Sequence, residues 1–183
     1  IDEILHIARA EHGKSKLDIQ SCSLNIIIQE VHELTYMLAE NRNYPFEILQ
    51  SSEEIYVSAD RRWLKQILVQ IVDTAISRME EGKISISTKV DDKNNMVLIW
   101  LDVPREAIPS SEPVDLIESE GNKKMNEEEI ELLQAGMKLL LNQTLLEVME
   151  GKLEIVSAPD NRDEHSRLQV SIPLGTQLAE LQH

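Results

Sequence analysis

His32-Glu33-Leu34-Thr35-Tyr36 carries half of a zinc-helix pattern, in which two histidines four apart hold the metal and the glutamate serves as base. Tyr36 stands at the second ligand position, so two imidazoles cannot converge, and His6, His12, His165 and His183 show no other ligand spacing. The reading favoured here is no metal and a solvated helix face. Cys22, the single cysteine, permits no internal disulfide and no cysteine cage, and reads as a small buried apolar residue. The paired carboxylates Glu127-Glu128-Glu129 and Glu80-Glu81 sit where a helix starts and ends, which suits solvated charge better than acid–base catalysis. No Ser, Cys or Thr occupies a nucleophile elbow. The six glycines (Gly13, Gly82, Gly121, Gly136, Gly151, Gly175) never come closer than 15 residues, so no clustered loop can bring backbone N–H groups onto a phosphate.

The elements that would position such residues follow from periodicity. Ile1, Ile4, Leu5 and Ala8 share a face of a short helical stub, residues 1–13, ended by Gly13; residues 14–22 read as a linker. The stripe of the stub calls for a pairing helix, from this chain or a second subunit. Ser23 is placed to cap a helix with Leu24, Ile27, Ile28, Val31, Thr35 and Leu38 inward. Tyr44, Phe46 and Ile48 alternate as a strand, and Ile55 and Val57 form a second. Asp60 opens a long helix with Leu64, Ile67, Leu68, Ile71, Ala75 and Met79 inward, closing near Gly82. Ile84–Val90 and Met96–Leu101 form a hairpin turned by residues 91–95. Residues 103–126, with Pro104, Pro109, Pro113 and Gly121, read as irregular. A helix over 127–149 is expected to turn Ile130, Leu133, Met137, Leu140, Leu141, Leu145 and Val148 inward. Strands at 153–156 and 168–172, joined by a polar turn over 158–166, complete a sheet, and 175–183 is a tail. This pattern predicts one domain, 23–174, built as a two-layer α/β sandwich, with a mixed sheet covered by helices on one face.

Composition narrows the partners. With 18 basic and 33 acidic residues in 183, the net charge is −15, which excludes nucleic acid and an anionic membrane surface. Apolar residues make up 42%, enough for a core, and aromatics only 3%, so the core is aliphatic. No run approaches the roughly 20 apolar residues of a membrane span, so this stretch is expected in the cytoplasm. The start in mid-helix without Met points to a longer protein, whose upstream part could carry a membrane anchor.

Three stretches resemble the ATPase domain of two-component sensor histidine kinases, in the GHKL superfamily with its Bergerat-type sandwich. Ile1-Asp2-Glu3-Ile4-Leu5 through Glu11-His12-Gly13-Lys14 is similar to the end of the dimerisation helix. Asp60-Arg61-Arg62-Trp63-Leu64-Lys65-Gln66-Ile67-Leu68 through Ala75 is similar to the N-box helix. Leu145–Pro159, with Ser171-Ile172-Pro173-Leu174, is similar to the closing helix, strand and terminal strand. The resemblance spans nearly the whole chain in the expected order.

It implies a nucleotide pocket whose residues here have changed. The family's magnesium-holding Asn falls on Thr74, and the Asn four residues earlier on Gln70. The adenine-reading Asp-x-Gly-x-Gly box falls on Asp102-Val103-Pro104-Arg105-Glu106, keeping Asp102 and losing both glycines. The second glycine box falls on Gln134–Lys138 and keeps Gly136. Residues 103–135 hold nine carboxylates against Arg105, Lys123 and Lys124, a local charge of −6 that repels a triphosphate. Asp102, Thr74, Gln70 and Gly136 are therefore the candidate remnants of a cofactor pocket, with no catalytic residue and no resident metal. His32 follows the Gly13 junction, so it does not match the phosphoacceptor box. The resemblance implies a degenerate, pseudokinase-type module working through protein–protein contact: self-association through the helical region, a response-regulator receiver or another kinase. The alternatives are a divergent active histidine kinase that uses ATP and Mg²⁺ through Asp102, Gln70 and Thr74, and an anti-sigma-like switch protein, against which the leading helix argues.

Overall fold

A computed structural model describes residues 17–49, 53–108, 127–156 and 165–176. The expected stub at 1–13, the linker residues 14–16, the acidic segment 109–126, the turn 157–164 and the tail beyond 176 lie outside the described residues. In chain order the elements are β1 (Gln20–Ser23), α1 (Leu24–Asn41), β2 (Phe46–Leu49), β3 (Tyr56–Ala59), α2 (Arg61–Arg78), β4 (Ile84–Asp91), β5 (Met96–Pro104), a 3-10 turn (Arg105–Ala107), α3 (Glu127–Val148), β6 (Lys152–Val156) and β7 (His165–Pro173).

Five strands form one mixed sheet in the order β2-β4-β5-β7-β6, with β2 and β4 parallel and the other pairs antiparallel. The parallel pair needs a crossover, and β3 and α2 supply it. Strands β1 and β3 make a separate two-stranded ribbon, which Leu174 touches through a bridge to Val57. The helices cover one face of the sheet, and a single aliphatic core lies between the layers. This is the two-layer α/β sandwich the periodicity called for.

Helix α2 is the spine of that core. Leu64, Ile67, Leu68, Ile71, Val72, Ala75 and Ile76 are buried along one face at helical spacing. Asp60 caps it as expected, its Oδ1 accepting from the N–H groups of Arg62 and Trp63 at 3.1 and 3.4 Å. Its Oδ2 also accepts from the Asp18 N–H at 3.1 Å, tying the incoming chain to the helix start. The β4–β5 hairpin turns where expected, with Asn95 at φ +56° and Asn94 Nδ2 donating to Asp91 Oδ2 at 2.7 Å.

Several expectations need correcting. Ser23 stands at the start of α1 but makes no side-chain cap, because its backbone already belongs to β1 and its hydroxyl is buried without a partner. Residues 20–22, expected as linker, are strand, held by pairing to β3. Leu38 is exposed and Ala39 takes the buried place, since Val31, Thr35 and Ala39 keep the four-residue step. β5 runs on through Val103 and Pro104, and β7 begins at His165, because the two strands stay paired to that end. In α3, Ile130, Met137 and Leu140 face solvent, and among its described side chains the buried ones are Asn142 and Leu146, with Met149 buried just past its end; the side chain of Leu133 is outside the description. Gly175, read as tail, donates its N–H to Tyr56 O at 2.8 Å.

Candidate functional site

Strand β5 decides which side chains can meet the helices. Side chains alternate across a strand, and up to Val103 the buried ones are Val97, Ile99, Leu101 and Val103, on the face toward α1 and α2. Trp100 and Asp102 therefore project from the opposite face. There Asp102 stands across from Arg167 of β7. The guanidinium forks onto the carboxylate, Nε donating to Oδ1 at 2.7 Å and Nη2 to Oδ2 at 2.9 Å. It also lies 4.3 Å from the ring centre of Trp100, whose Nε1 donates to Gln169 Oε1 at 2.9 Å. Asp102 is thus engaged in a cross-strand network on the face turned away from α1 and α2.

On the helix side, α2, α3, the 3-10 turn and β7 converge where the strand of Asp102 ends. Ile71, Thr74, Ala75, Ala107, Leu139, Asn142 and Leu168 enclose a cavity of about 10 Å³. That is close to the space of one water, against the several hundred Å³ of an ordinary ligand pocket. A second void, about 20 Å³ and walled only by aliphatic side chains, lies deeper between the helices and the sheet.

The four sequence candidates are not brought together. Thr74 lines the small cavity. Gln70 is one turn earlier on α2 and does not line it. Asp102 is on the other side of the sheet. Gly136 lies on α3 more than a turn before Asn142, and a methyl group added there would meet nothing within 4 Å. Shifting the adenine-reading box by one residue, to Val103, Arg105 and Ala107, moves its Asp and second Gly positions to the helix side. A valine at 0% exposure and an alanine at 2% stand there.

Sequence reasoning missed Asn142, which is 2% exposed with its Oδ1 unpartnered. The signal available was a polar residue inside Leu139-Leu140-Leu141-Asn142 whose four-residue step reaches Leu146. It was masked because α3 carries leucines on several faces. The pattern at His32 resolves into aromatic packing: its ring stacks on Tyr36 at 5.8 Å and meets Phe46 edge-on at 4.7 Å. Among the described residues no group of three or more His, Cys, Asp and Glu stands close enough to hold a metal. Nor is any described helix long and apolar enough to cross a membrane. Lys152 is raised above the ordinary lysine range by its hydrogen bond and charge attraction to Glu154, but the pair is at the far edge strand.

No family model matches the chain. It is 24% identical over 177 residues to the sensor protein DltS of Streptococcus agalactiae, covering 95% of this chain and 42% of that protein. It is 22% identical over 162 residues to the alginate biosynthesis sensor protein KinB of Pseudomonas aeruginosa, covering 87% of this chain and 26% of that one. The chain thus spans less than half the length of these curated relatives. Among solved structures, the Acinetobacter baumannii histidine kinase AdeS superposes with a TM-score of 0.66 at 16% identity, over 96% of this chain and 77% of that one. Full-length ShkA, crystallised with AMPPNP, gives 0.68 at 18%, over 96% and 35%. The nucleotide-free catalytic domain of ThkA gives 0.63 at 20%, over 88% and all of that chain. The fold is that of histidine kinase catalytic domains.

Proposed function

The chain belongs to the sensor histidine kinase family, and from that premise we propose that it is a degenerate ATPase-like module of a two-component sensor, signalling through protein contact and not through phosphoryl transfer. The observation that carries the reading is the size and lining of the cavity between α2, α3 and the 3-10 turn. At about 10 Å³ it has no room for an adenine ring. A magnesium nucleotide does not fit these residues: Thr74 replaces the amide expected to hold the metal, and Val103 and Ala107 fill the adenine side. Asp102, the surviving carboxylate, is held by Arg167 on the opposite face. The net charge of −15 adds repulsion toward any triphosphate.

Partners follow from the same premise: a second copy, and a receiver domain or another kinase. The compartment is the cytoplasm. The test is calorimetric titration of the full chain with ADP or ATP and Mg²⁺. No saturable heat is expected up to millimolar nucleotide; a micromolar Kd would overturn the reading in favour of a divergent active kinase.

A further inference from the structure

Asn142 and Thr74 sit on different helices and line the same small cavity. The Asn142 side chain is buried and its Oδ1 accepts no hydrogen bond. Native interiors rarely leave such an acceptor unmet; ordered water commonly meets it. Thr74 is also unusual for a threonine within a helix. Thr35 and Thr144 each donate back to the carbonyl four residues earlier, Val31 O at 2.7 Å and Leu140 O at 3.1 Å. Among the described residues no such bond is found for Thr74, which is half-buried at the cavity wall. The remaining walls are the side chains of Ile71, Ala75, Ala107, Leu139 and Leu168, which offer nothing to either group.

We propose that this cavity is a binding site for a single water molecule that donates to Asn142 Oδ1 and shares a hydrogen bond with the Thr74 hydroxyl, latching α3 to α2. A volume of about 10 Å³ admits one water and nothing larger. Water both donates and accepts, so it serves the carboxamide whichever way the amide is turned. The bridge gives a physical reason for an amide at position 142, where the flanking leucines would make an aliphatic residue the simpler filling. The proposal rests on the closed pocket described above and names what that pocket takes instead of a nucleotide.

A crystal structure of the full chain, at a resolution that orders solvent, tests it. The expected result is one isolated water within hydrogen-bond distance of both Asn142 and Thr74. A dry cavity, or a protein group bonded to Asn142 in its place, would overturn the proposal. A double-mutant cycle reads the same latch in solution. Thr74→Val and Asn142→Leu should each lower the thermal midpoint by about 2–4 °C. The double variant should recover most of the loss, because no polar group is then stranded, whereas strictly additive losses would count against the latch. If Asn142→Leu does not fold, Thr74→Val suffices: its crystal structure should lose the water, and an unchanged peak would contradict the bridge. Micromolar nucleotide affinity would sink the pseudokinase reading without removing this water from the ligand-free chain, so the two failures are distinguishable.

Discussion

The two faces of β5 differ in what they do with polarity. The helix side is aliphatic, with Val97, Ile99, Leu101 and Val103 packed under α1 and α2. The open side gathers Trp100, Asp102, Arg167 and Gln169 into a bonded network. Adjacent residues of one strand thus have opposite roles, and the motif that suggested a ligand contact lies one residue out of phase with the face a ligand would use. A one-residue step exchanges the faces. The lesson is that a motif-matching residue type at a strand end carries no chemistry until its face is known.

Breaking the aliphatic face should cost most. Val103→Asp puts an unpaired carboxylate where exposure is 0%, and unfolding in denaturant should show a loss of about 3–5 kcal/mol. Breaking the polar face should cost less. Asp102→Ala removes the forked carboxylate from Arg167, whose side chain is only 14% exposed, and should lower stability by about 1–2 kcal/mol in the same assay without changing the response to nucleotide. Removing the cap that fixes the start of α2, Asp60→Ala, should cost about 1 kcal/mol by denaturant unfolding. Gly136→Ala should raise stability by about 0.5–1 kcal/mol, since the site is helical and open; a loss would show that Gly136 keeps a backbone role in the pocket.

Legibility in the sequence tracked how sharply each element's period was defined. Helix α2 was readable because its apolar residues fall on one face and Asp60 marks its start. The β4–β5 hairpin was readable from Asp91–Asn95 between alternating runs. The face of α3 was not, because leucines at 139, 140, 141, 145 and 146 leave the stripe ambiguous and the long-range partner chose Asn142 and Leu146. Strand β1 was hidden because Gln20-Ser21-Cys22-Ser23 has little strand propensity, and its pairing to β3 is a tertiary effect. Of the candidate site, the helix that carries Thr74 was legible, its place at the small cavity was not, and the side of Asp102 required the strand register.

The central proposition is that α2, α3 and the 3-10 turn close on each other where a nucleotide would enter. Backbone amide spectra of the isotope-labelled full chain, recorded with increasing Mg²⁺–AMPPNP, test it residue by residue. The amides of Ala75, Ala107 and Asn142 should stay in place through millimolar nucleotide. Saturable movement of those three signals together, with a micromolar midpoint, would contradict the account.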